Sequence, residues 1–427
     1  MLLFTNSLNI RKLLISITWL SFFISINLNP MQFDNFNIIN KFRILSPFLS
    51  IITLVFFIKK INYSSLMKVD FLALNFIILS YCFFNIYNTS NSNINMFWPF
   101  YMFLSLFFVV SILDQKEREY LIKLTILIII LGFIFYFSLA VFQMYQSSNL
   151  SFYGIMGGID GYMGFKNPPR SSGLARLSLI LFSSLFVFFV LKKPTHNKNL
   201  LIFIISILSI TTLIFESRTA NFIWLIIFIS IFLFYFNSIK HKLKILIFIF
   251  IIPFIVVGVY NAAKKNLINN NFTLDKKTFK IDIKDSALNT IFREQDHNFS
   301  SGRYENWFKT YDLLKEKPII GYGAQADRLI LNQSIHNAFL YSFLSGGLIA
   351  GFLFLLVYFK TLYFFIKFLL SKSLHSNFYF CISIVLIIIL NLRSILETSF
   401  AIYSIDYLIF ILIFSNLSNF FSKKTNE

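Results

Sequence analysis

The hydrophobic pattern of this chain is a series of long apolar runs separated by shorter polar connections. A run of about 20 apolar residues is what an α-helix needs to cross the roughly 30 Å hydrocarbon core of a bilayer. The pattern predicts about twelve spans, the second of which is short for that thickness. The predicted spans are residues 13–29, 44–58, 70–87, 96–113, 120–146, 175–192, 199–215, 219–236, 243–260, 346–368, 377–395 and 399–419.

The longest polar interruption divides the chain into three parts. Nine spans fall in residues 1–260, a large loop covers 261–345, and three spans fall in 346–427. We therefore predict an all-α integral membrane protein with a large outer loop between its ninth and tenth spans.

The second half of this loop predicts an amphipathic helix. Ser300 and Ser301 are suited to cap it, and Pro318 ends it after lysines in the last turn. Aromatic and apolar positions recur every three to four residues, so the helix is expected to lie on the membrane surface. The repeating positions are Tyr304, Trp307, Tyr311 and Leu314.

Glycines shape the segment that follows. Gly321-Tyr322-Gly323 predicts a turn, and the apolar run from Ala338 to Leu370 is too long for one perpendicular span. The pair Gly346-Gly347 is expected to break this run into an interfacial half-helix headed by His336 and the span proper.

Composition and charge agree with a membrane class. The chain is 57% apolar and only 13% charged, too little charge to cover a soluble protein of 427 residues. Its net charge of +19 comes from short basic clusters between apolar runs, a pattern that sets membrane orientation rather than nucleic-acid binding. Twelve spans place these clusters on one side, with both termini cytoplasmic. Cys82 and Cys381 fall within predicted spans and are expected to serve packing.

Arginine is distributed differently from lysine. Of ten arginines, eight fall on the predicted outer side, where short loops should carry few positive charges. Guanidinium groups make bidentate contacts with phosphate oxygens, so the bias indicates an anionic, phosphate-bearing substrate. The alternative is that individual arginines only border the membrane. The eight are Arg43, Arg170, Arg176, Arg218, Arg293, Arg303, Arg328 and Arg393.

A few polar residues are candidates for chemistry. Among five histidines, only His336 stands at the start of an apolar helix on the outer side, where it suits a general base; helix capping is the alternative. Arg218 opens a span, with Glu216 as a possible partner. Arg393 and Glu397 are four residues apart and are suited to pair on a helix. No metal-ligand spacing, phosphate loop or dinucleotide motif appears in the sequence, and no cofactor is expected.

Four pieces of sequence together resemble the O-antigen ligase and O-antigen polymerase superfamily of bacterial envelope glycosyltransferases. The likeness covers roughly residues 166–351. The motif that ends it departs from the usual ligase form at Ala350, which leaves ligase and polymerase open. The pieces are Arg170-Ser-Ser-Gly-Leu, Ser217-Arg218-Thr219-Ala220, Ser301-Gly302-Arg303 with Lys317-Pro318-Ile-Ile-Gly321-Tyr-Gly323, and His336-Asn337 with Gly347-Leu-Ile-Ala350-Gly351.

The resemblance implies a reaction at the periplasmic face of the bacterial inner membrane. The donor would be a glycan on undecaprenyl pyrophosphate, and the acceptor a hydroxyl of lipid A-core or of a growing glycan. Arg170, Arg218 and Arg303 would hold the pyrophosphate, and His336 would activate the acceptor, with support from Asn337, Glu216 and Arg393. The transfer would invert the anomeric carbon and use no metal.

Ligase is the first interpretation, repeat-unit polymerase the second, and a protein O-glycosyltransferase a third. Function classes outside transfer are a polytopic transporter and a flippase for lipid-linked glycans. These would need charged or broken helices near the bilayer midplane, whereas the predicted spans here are nearly free of charge.

Overall fold

The computed structural model describes thirteen stretches of the chain. They are residues 2–26, 48, 51–53, 55–57, 61–83, 97–147, 171–192, 198–215, 217–235, 243–262, 303–331, 333–371 and 377–424. Within these stretches the secondary structure is helical, and no strand occurs.

Thirteen helices carry the described fold, and we number them in chain order. A four-residue turn, Tyr63–Leu66, and a 3₁₀ turn, Ser399–Ala401, lie between them, and α3 continues into a π-helical turn at Phe108–Ile112. The helices are α1 (Leu2–Ser25), α2 (Val69–Phe83), α3 (Phe97–Phe107), α4 (Gln115–Ser147), α5 (Ser171–Lys192), α6 (Lys198–Ile214), α7 (Arg218–Tyr235), α8 (Leu243–Ala262), α9 (Arg303–Glu316), α10 (Ala326–Ile330), α11 (Ala338–Leu370), α12 (Phe378–Leu396) and α13 (Ile405–Lys424).

The helices follow the predicted spans closely, but the described residues do not establish the number of membrane crossings. Among the described residues, six helices are long and apolar enough to cross a membrane, namely segments of α4, α5, α8, α11, α12 and α13. Four others, α2, α3 with its π turn, α6 and α7, contain apolar segments of 10–17 residues. The predicted total of twelve spans is therefore not confirmed, and the second, at 44–58, lies mostly outside the described residues.

The chain forms two compact units. The first comprises Met1–Thr125 with Ser300–Glu427, and the second comprises Ile126–Phe299. In the first unit α11 packs on α2 and α12, and α12 packs on α13. Edge-to-face and stacked phenylalanines fill these contacts, including Phe400 on Phe410 with ring centroids 4.1 Å apart.

The second unit is a bundle of α5, α6, α7 and α8. Trp224 of α7 is fully buried and stacks on Phe228 and Phe250. Hydroxyl groups join the helices, because Ser178 of α5 lies 2.8 Å from the Thr211 hydroxyl and 2.7 Å from that of Thr212 on α6. Small hydroxyl side chains of this kind let apolar helices approach closely and hydrogen-bond across the contact.

Helix α11 is broken where the sequence predicted. Gly346 and Gly347 have non-helical backbone angles, and Gly347 adopts φ of +64° with ψ of −162°, a region essentially restricted to glycine. The break leaves a half-helix from Ala338 onward and a longer helix ending at Leu370. The loop that leads into this half-helix carries His336 of the candidate site.

Candidate functional site

The turn that follows α9 is joined by backbone hydrogen bonds to the break in α11. The amide of Tyr322 donates to the Leu344 carbonyl at 2.8 Å, and that of Gly323 donates to the Ser345 carbonyl at 2.7 Å. In the other direction, Leu348 donates to the Pro318 carbonyl at 2.7 Å. Backbone groups freed by a broken helix need such partners when they are removed from water.

Glycine is required on both sides of this contact. A Cβ on Gly347 would lie 2.2 Å from the Ile319 carbonyl oxygen, and one on Gly321 would lie 2.5 Å from the Gly347 nitrogen. Both residues also have positive φ. The two glycine motifs recognised in the sequence are therefore halves of one structural joint.

His336 lies immediately before the half-helix that this joint supports. Asn337 caps the helix, since its side chain accepts from the Leu340 amide at 2.9 Å. His336 itself has φ of +53°, a left-handed conformation uncommon outside glycine, and its side chain is 39% exposed. Backbone strain of this sort is concentrated at functional sites, where surrounding contacts maintain it.

Glu397 orients the imidazole of His336. Its Oε2 lies 2.9 Å from Nδ1 of His336, close enough for Nδ1–H to donate to the carboxylate. A neutral imidazole whose Nδ1 carries the proton has Nε2 as its acceptor. The arrangement therefore equips Nε2 of a half-exposed histidine to take a proton.

Two cations stabilise the charge on Glu397. Burial is the largest influence and would raise the pKa of this carboxyl, but the hydrogen bond from His336 and the charges of Arg393 and Arg303 outweigh it, so its pKa lies below the ordinary value. Nη2 of Arg303 lies 3.4 Å from Oε1 of Glu397. The carboxylate thus stays ionised beside His336 although it is largely enclosed.

Arg393 does not form the helical pair with Glu397 that their spacing suggested. Its Nε contacts Oδ2 of Asp406 at 3.2 Å, and both side chains are buried. Glu397 follows the end of α12, where its amide donates to the Arg393 carbonyl at 2.7 Å, and its carboxylate turns to His336 and Arg303 instead. Arg393 therefore acts on Glu397 through its charge from within α12.

Helix α9 brings Arg303 to this place. The Trp307 indole donates to the Ile335 carbonyl at 2.9 Å, next to His336, and Gln333 donates to Asn306. The buried side of α9 is thus partly polar, while Tyr304 and Tyr311 of the predicted apolar repeat are more than half exposed. Trp307 contacts the Tyr304 ring, with ring centroids 5.5 Å apart, and also packs inward against the loop before His336, so the aromatic face of α9 is partly covered.

The remaining predicted site residues lie elsewhere. Arg218 is the first residue of α7 in the second unit and is exposed. Arg170 and Glu216 lie outside the described residues. The structure thus brings together His336, Arg303 and Glu397, with Arg393 acting on Glu397, and leaves the contributions of Arg170 and Arg218 as predictions.

Two acidic residues of this region are not apparent from the sequence. Spacing indicates Glu397 only as a partner of Arg393, and no motif points to Asp406. The available signal was that carboxylates are costly in apolar segments and are usually paired there. Asp406 opens α13 between apolar runs and is 1% exposed.

Comparison with known proteins bears on the assignment. Residues 201–355 match the family model described as O-antigen ligase. This match confirms the resemblance to the O-antigen ligase and polymerase superfamily. The matched range contains Arg218, Arg303 and His336 and ends before Glu397. Members of the family are glycosyltransferase-like enzymes, and together with the apolar helices the match indicates a bacterial membrane protein.

A second comparison gives a more distant relative. An uncharacterized protein of Haemophilus influenzae (strain ATCC 51907 / DSM 11121 / KW20 / Rd) is 25% identical over 247 residues. The alignment covers 53% of this chain and 59% of that protein, so the chain spans less than two thirds of the relative's length. No solved structure matches the chain.

Proposed function

We propose that this protein transfers a glycan from a polyprenyl pyrophosphate donor to a sugar hydroxyl on the periplasmic face. In a bacterial membrane the polyprenyl pyrophosphate is undecaprenyl pyrophosphate. The observation that carries the proposal is the 2.9 Å contact between Nδ1 of His336 and Oε2 of Glu397. His336 has a left-handed backbone conformation just before the α11 half-helix. The family match supplies the class of reaction.

In the proposed reaction, Nε2 of His336 accepts the proton of the acceptor hydroxyl. The oxygen attacks the anomeric carbon of the donor and forms the new glycosidic bond. The bond from that carbon to the pyrophosphate oxygen breaks, and the polyprenyl pyrophosphate leaves with both electrons, inverting the configuration. Glu397 positions the imidazole and stabilises the imidazolium that forms.

The leaving group gains negative charge in this step, and arginines are suited to stabilise it. Arg303 contacts Glu397 through Nη2, one of the two terminal nitrogens of a guanidinium that carries five N–H donors. Arg170 and Arg218 are the other proposed pyrophosphate contacts, Arg218 also assisting the reaction. Asn337, Glu216 and Arg393 are proposed in supporting roles.

Among the acceptors, we favour lipid A-core, which makes the protein an O-antigen ligase. The His336-Asn337 motif supports this choice, and Ala350 departs from the usual ligase pattern. The test is a deletion strain whose envelope glycan is resolved by gel electrophoresis. Loss of polymer from the core identifies a ligase, and core capped by one repeat unit identifies a polymerase.

Complementation of that strain tests the site itself. His336→Ala is expected to leave the glycan defect unrepaired although the protein reaches the membrane. His241→Ala is the matched control, because the predicted orientation puts this histidine on the cytoplasmic side, and it should restore the glycan fully. Intact glycan in the deletion strain, or full rescue by His336→Ala, would refute the proposal.

A further inference from the structure

A second feature of the first unit is a small aromatic pocket beside the His336 loop. Tyr81 of α2, Trp98 of α3 and Tyr403 form aromatic walls. Gln325, Asp327 and Arg328 contribute the polar side. Aromatic walls with a few convergent polar groups are the usual composition of a ligand site.

The aromatic walls are held in place by their hydroxyl groups. The Tyr81 hydroxyl donates to Ser342 at 3.0 Å, and that of Tyr403 donates to the Phe22 carbonyl at 3.0 Å. Trp98 lies edge-to-face on Tyr403, with ring centroids 6.0 Å apart. These contacts fix the rings, so the pocket is bordered by rigid aromatic surface.

The polar side contains a strained residue and a buried carboxylate. Gln325 has φ of +62°, and its backbone N–H donates to the Tyr341 hydroxyl at 3.0 Å. Asp327 is 2% exposed and accepts from the amides of Arg328 at 2.9 Å and Ile335 at 3.4 Å. A glutamine in the left-handed region is strained, and strain of this kind recurs at ligand-binding turns.

The pocket shares two chain segments with the proposed base. Asp327 receives the amide of Ile335, the residue before His336. Thr398, which also lines the pocket, follows Glu397 directly. A ligand held here would therefore lie beside the segments that carry both members of the His336–Glu397 pair.

The charges of the pocket favour a neutral polar ligand. The carboxylate of Asp327 would repel a pyrophosphate, and a polyprenyl chain would displace water from the polar side of the pocket without making hydrogen bonds to it. Sugar rings combine apolar C–H faces, which pack on aromatic rings, with hydroxyls that bind carboxylate, amide and guanidinium groups. We propose that this pocket binds a sugar residue of the glycan substrate, an inference that rests on the proposed function.

The size of the pocket defines how the sugar would bind. Its cavity of about 20 Å³ has room for roughly one water-sized group. An exocyclic group of the sugar, such as a hydroxymethyl, enters the cavity while the ring lies across its mouth. Arg328, whose side chain is exposed, is placed at that mouth to contact the ring hydroxyls.

The test is binding of simple sugars to the full-length protein in nanodiscs. Methyl glycosides of glucose, galactose and N-acetylglucosamine are titrated and followed by saturation-transfer NMR. Trp98→Leu and Arg328→Gln are each expected to weaken binding about fivefold, which corresponds to the loss of roughly 1 kcal/mol for one aromatic or charged contact. Phe100→Leu and Lys309→Gln are the matched controls, because neither residue lines the pocket, and they should bind as the wild type does.

The outcomes separate this inference from the proposed function. If Trp98→Leu and Arg328→Gln lose glycoside binding while His336→Ala keeps it, the pocket is supported. This holds even if the deletion strain retains its glycan and the transfer proposal fails. Absence of glycoside binding in a protein that does transfer glycan overturns the pocket alone, as do variants that bind normally. A raised acceptor KM in Arg328→Gln identifies the sugar as the acceptor's, and a raised donor KM identifies it as the donor's. Thermal unfolding of each variant shows that it is folded.

Discussion

The two compact units use polar residues in different ways. In the second unit hydroxyl groups join buried helix faces: Ser178 meets the threonines of α6, and Ser209 donates to the Ile249 carbonyl of α8 at 2.9 Å. In the first unit charged side chains meet, as in the pairs of Glu397 with Arg303 and of Arg393 with Asp406. Under the proposed function, the charged pairs of the first unit prepare the chemistry, whereas the hydroxyl contacts of the second unit only hold helices together.

The physical reason lies in the cost of burying charge. A hydroxyl that hydrogen-bonds to a neighbouring helix loses little hydration free energy when it leaves water. Burying an ion pair costs several kcal/mol of hydration free energy per ion. Replacing a buried pair by apolar residues is often neutral or stabilising, so stability alone does not explain why Arg393 and Asp406 are charged. The charge of Arg393 lowers the pKa of Glu397, which orients His336, and Asp406 holds Arg393 by its ion pair, so both have a use in the proposed reaction.

Arg218 tests the comparison most severely, because it is a described residue of the second unit with a proposed function. Arg218→Ala is expected to lower glycan transfer about 10³-fold, the size of effect seen when one donor to a developing negative charge is removed. Arg218→Lys should recover part of the activity, since it keeps the charge but not the bidentate geometry. The measurement is the transfer rate in membranes matched for protein amount, and wild-type rates in Arg218→Ala would confine the chemistry to the first unit.

Glu397→Gln should have the next largest effect. Glutamine keeps the shape of the side chain but cannot stabilise an imidazolium, so kcat is expected to fall about 10–100-fold, as for other residues that orient a functional histidine. Because Glu397 also contacts Arg303, donor KM is expected to change as well, but by a smaller factor than kcat. Asp312→Asn on α9 is the control, since that carboxylate is exposed and pairs only with exposed Lys315 among the described contacts. Equal losses in both variants would show a general effect of removing negative charge.

Acid titration examines the same residue through stability. The pKa of Glu397 is lowered in the folded protein, so its ionised form contributes stability above its ordinary pKa near 4.5, and this contribution disappears as pH falls through the lower folded value. The difference in Tm between wild type and Glu397→Gln should therefore shrink as the pH is lowered from about 5 to 3. A difference that stays constant over this range would mean that the carboxylate is not stabilised by its cations.

The sequence predicted the helices well and the site only in part. The apolar runs predicted the helix bounds, and Gly346-Gly347 predicted the break, because both features depend only on residues close together in the chain. Which carboxylate meets His336 is not local, since Glu397 is 61 residues away in the chain. Spacing favoured Arg393 as the partner of Glu397. In the structure α12 packs on α13, and Arg393 forms its ion pair with Asp406 instead.

The joint in α11 gives a smaller effect, measured as stability. Gly347→Ala forces a Cβ to within 2.2 Å of the Ile319 carbonyl oxygen and puts alanine in a glycine-only backbone region, which should cost about 2–3 kcal/mol. Gly132→Ala in α4 is the matched control, since a Cβ there meets nothing within 4 Å. The measurement is Tm in detergent, with transfer activity as a second readout. An unchanged Tm in Gly347→Ala would show that the break is not rigidly held.

The smallest expected effect belongs to the neutral contacts of the second unit. Ser178→Ala removes a hydroxyl that lies 2.8 Å from Thr211 and 2.7 Å from Thr212, and interhelical hydrogen bonds in membranes contribute about 0.6 kcal/mol on average. Its Tm should fall by a degree or two with transfer kinetics unchanged, because both threonines also bond the Leu208 carbonyl within their own helix. Ser230→Ala on α7 is the control, as its hydroxyl bonds the Ile226 carbonyl of the same helix. If Ser178→Ala instead abolished transfer while leaving Tm intact, the hydroxyls of the second unit would belong with the chemistry, and the division between the two units would fail.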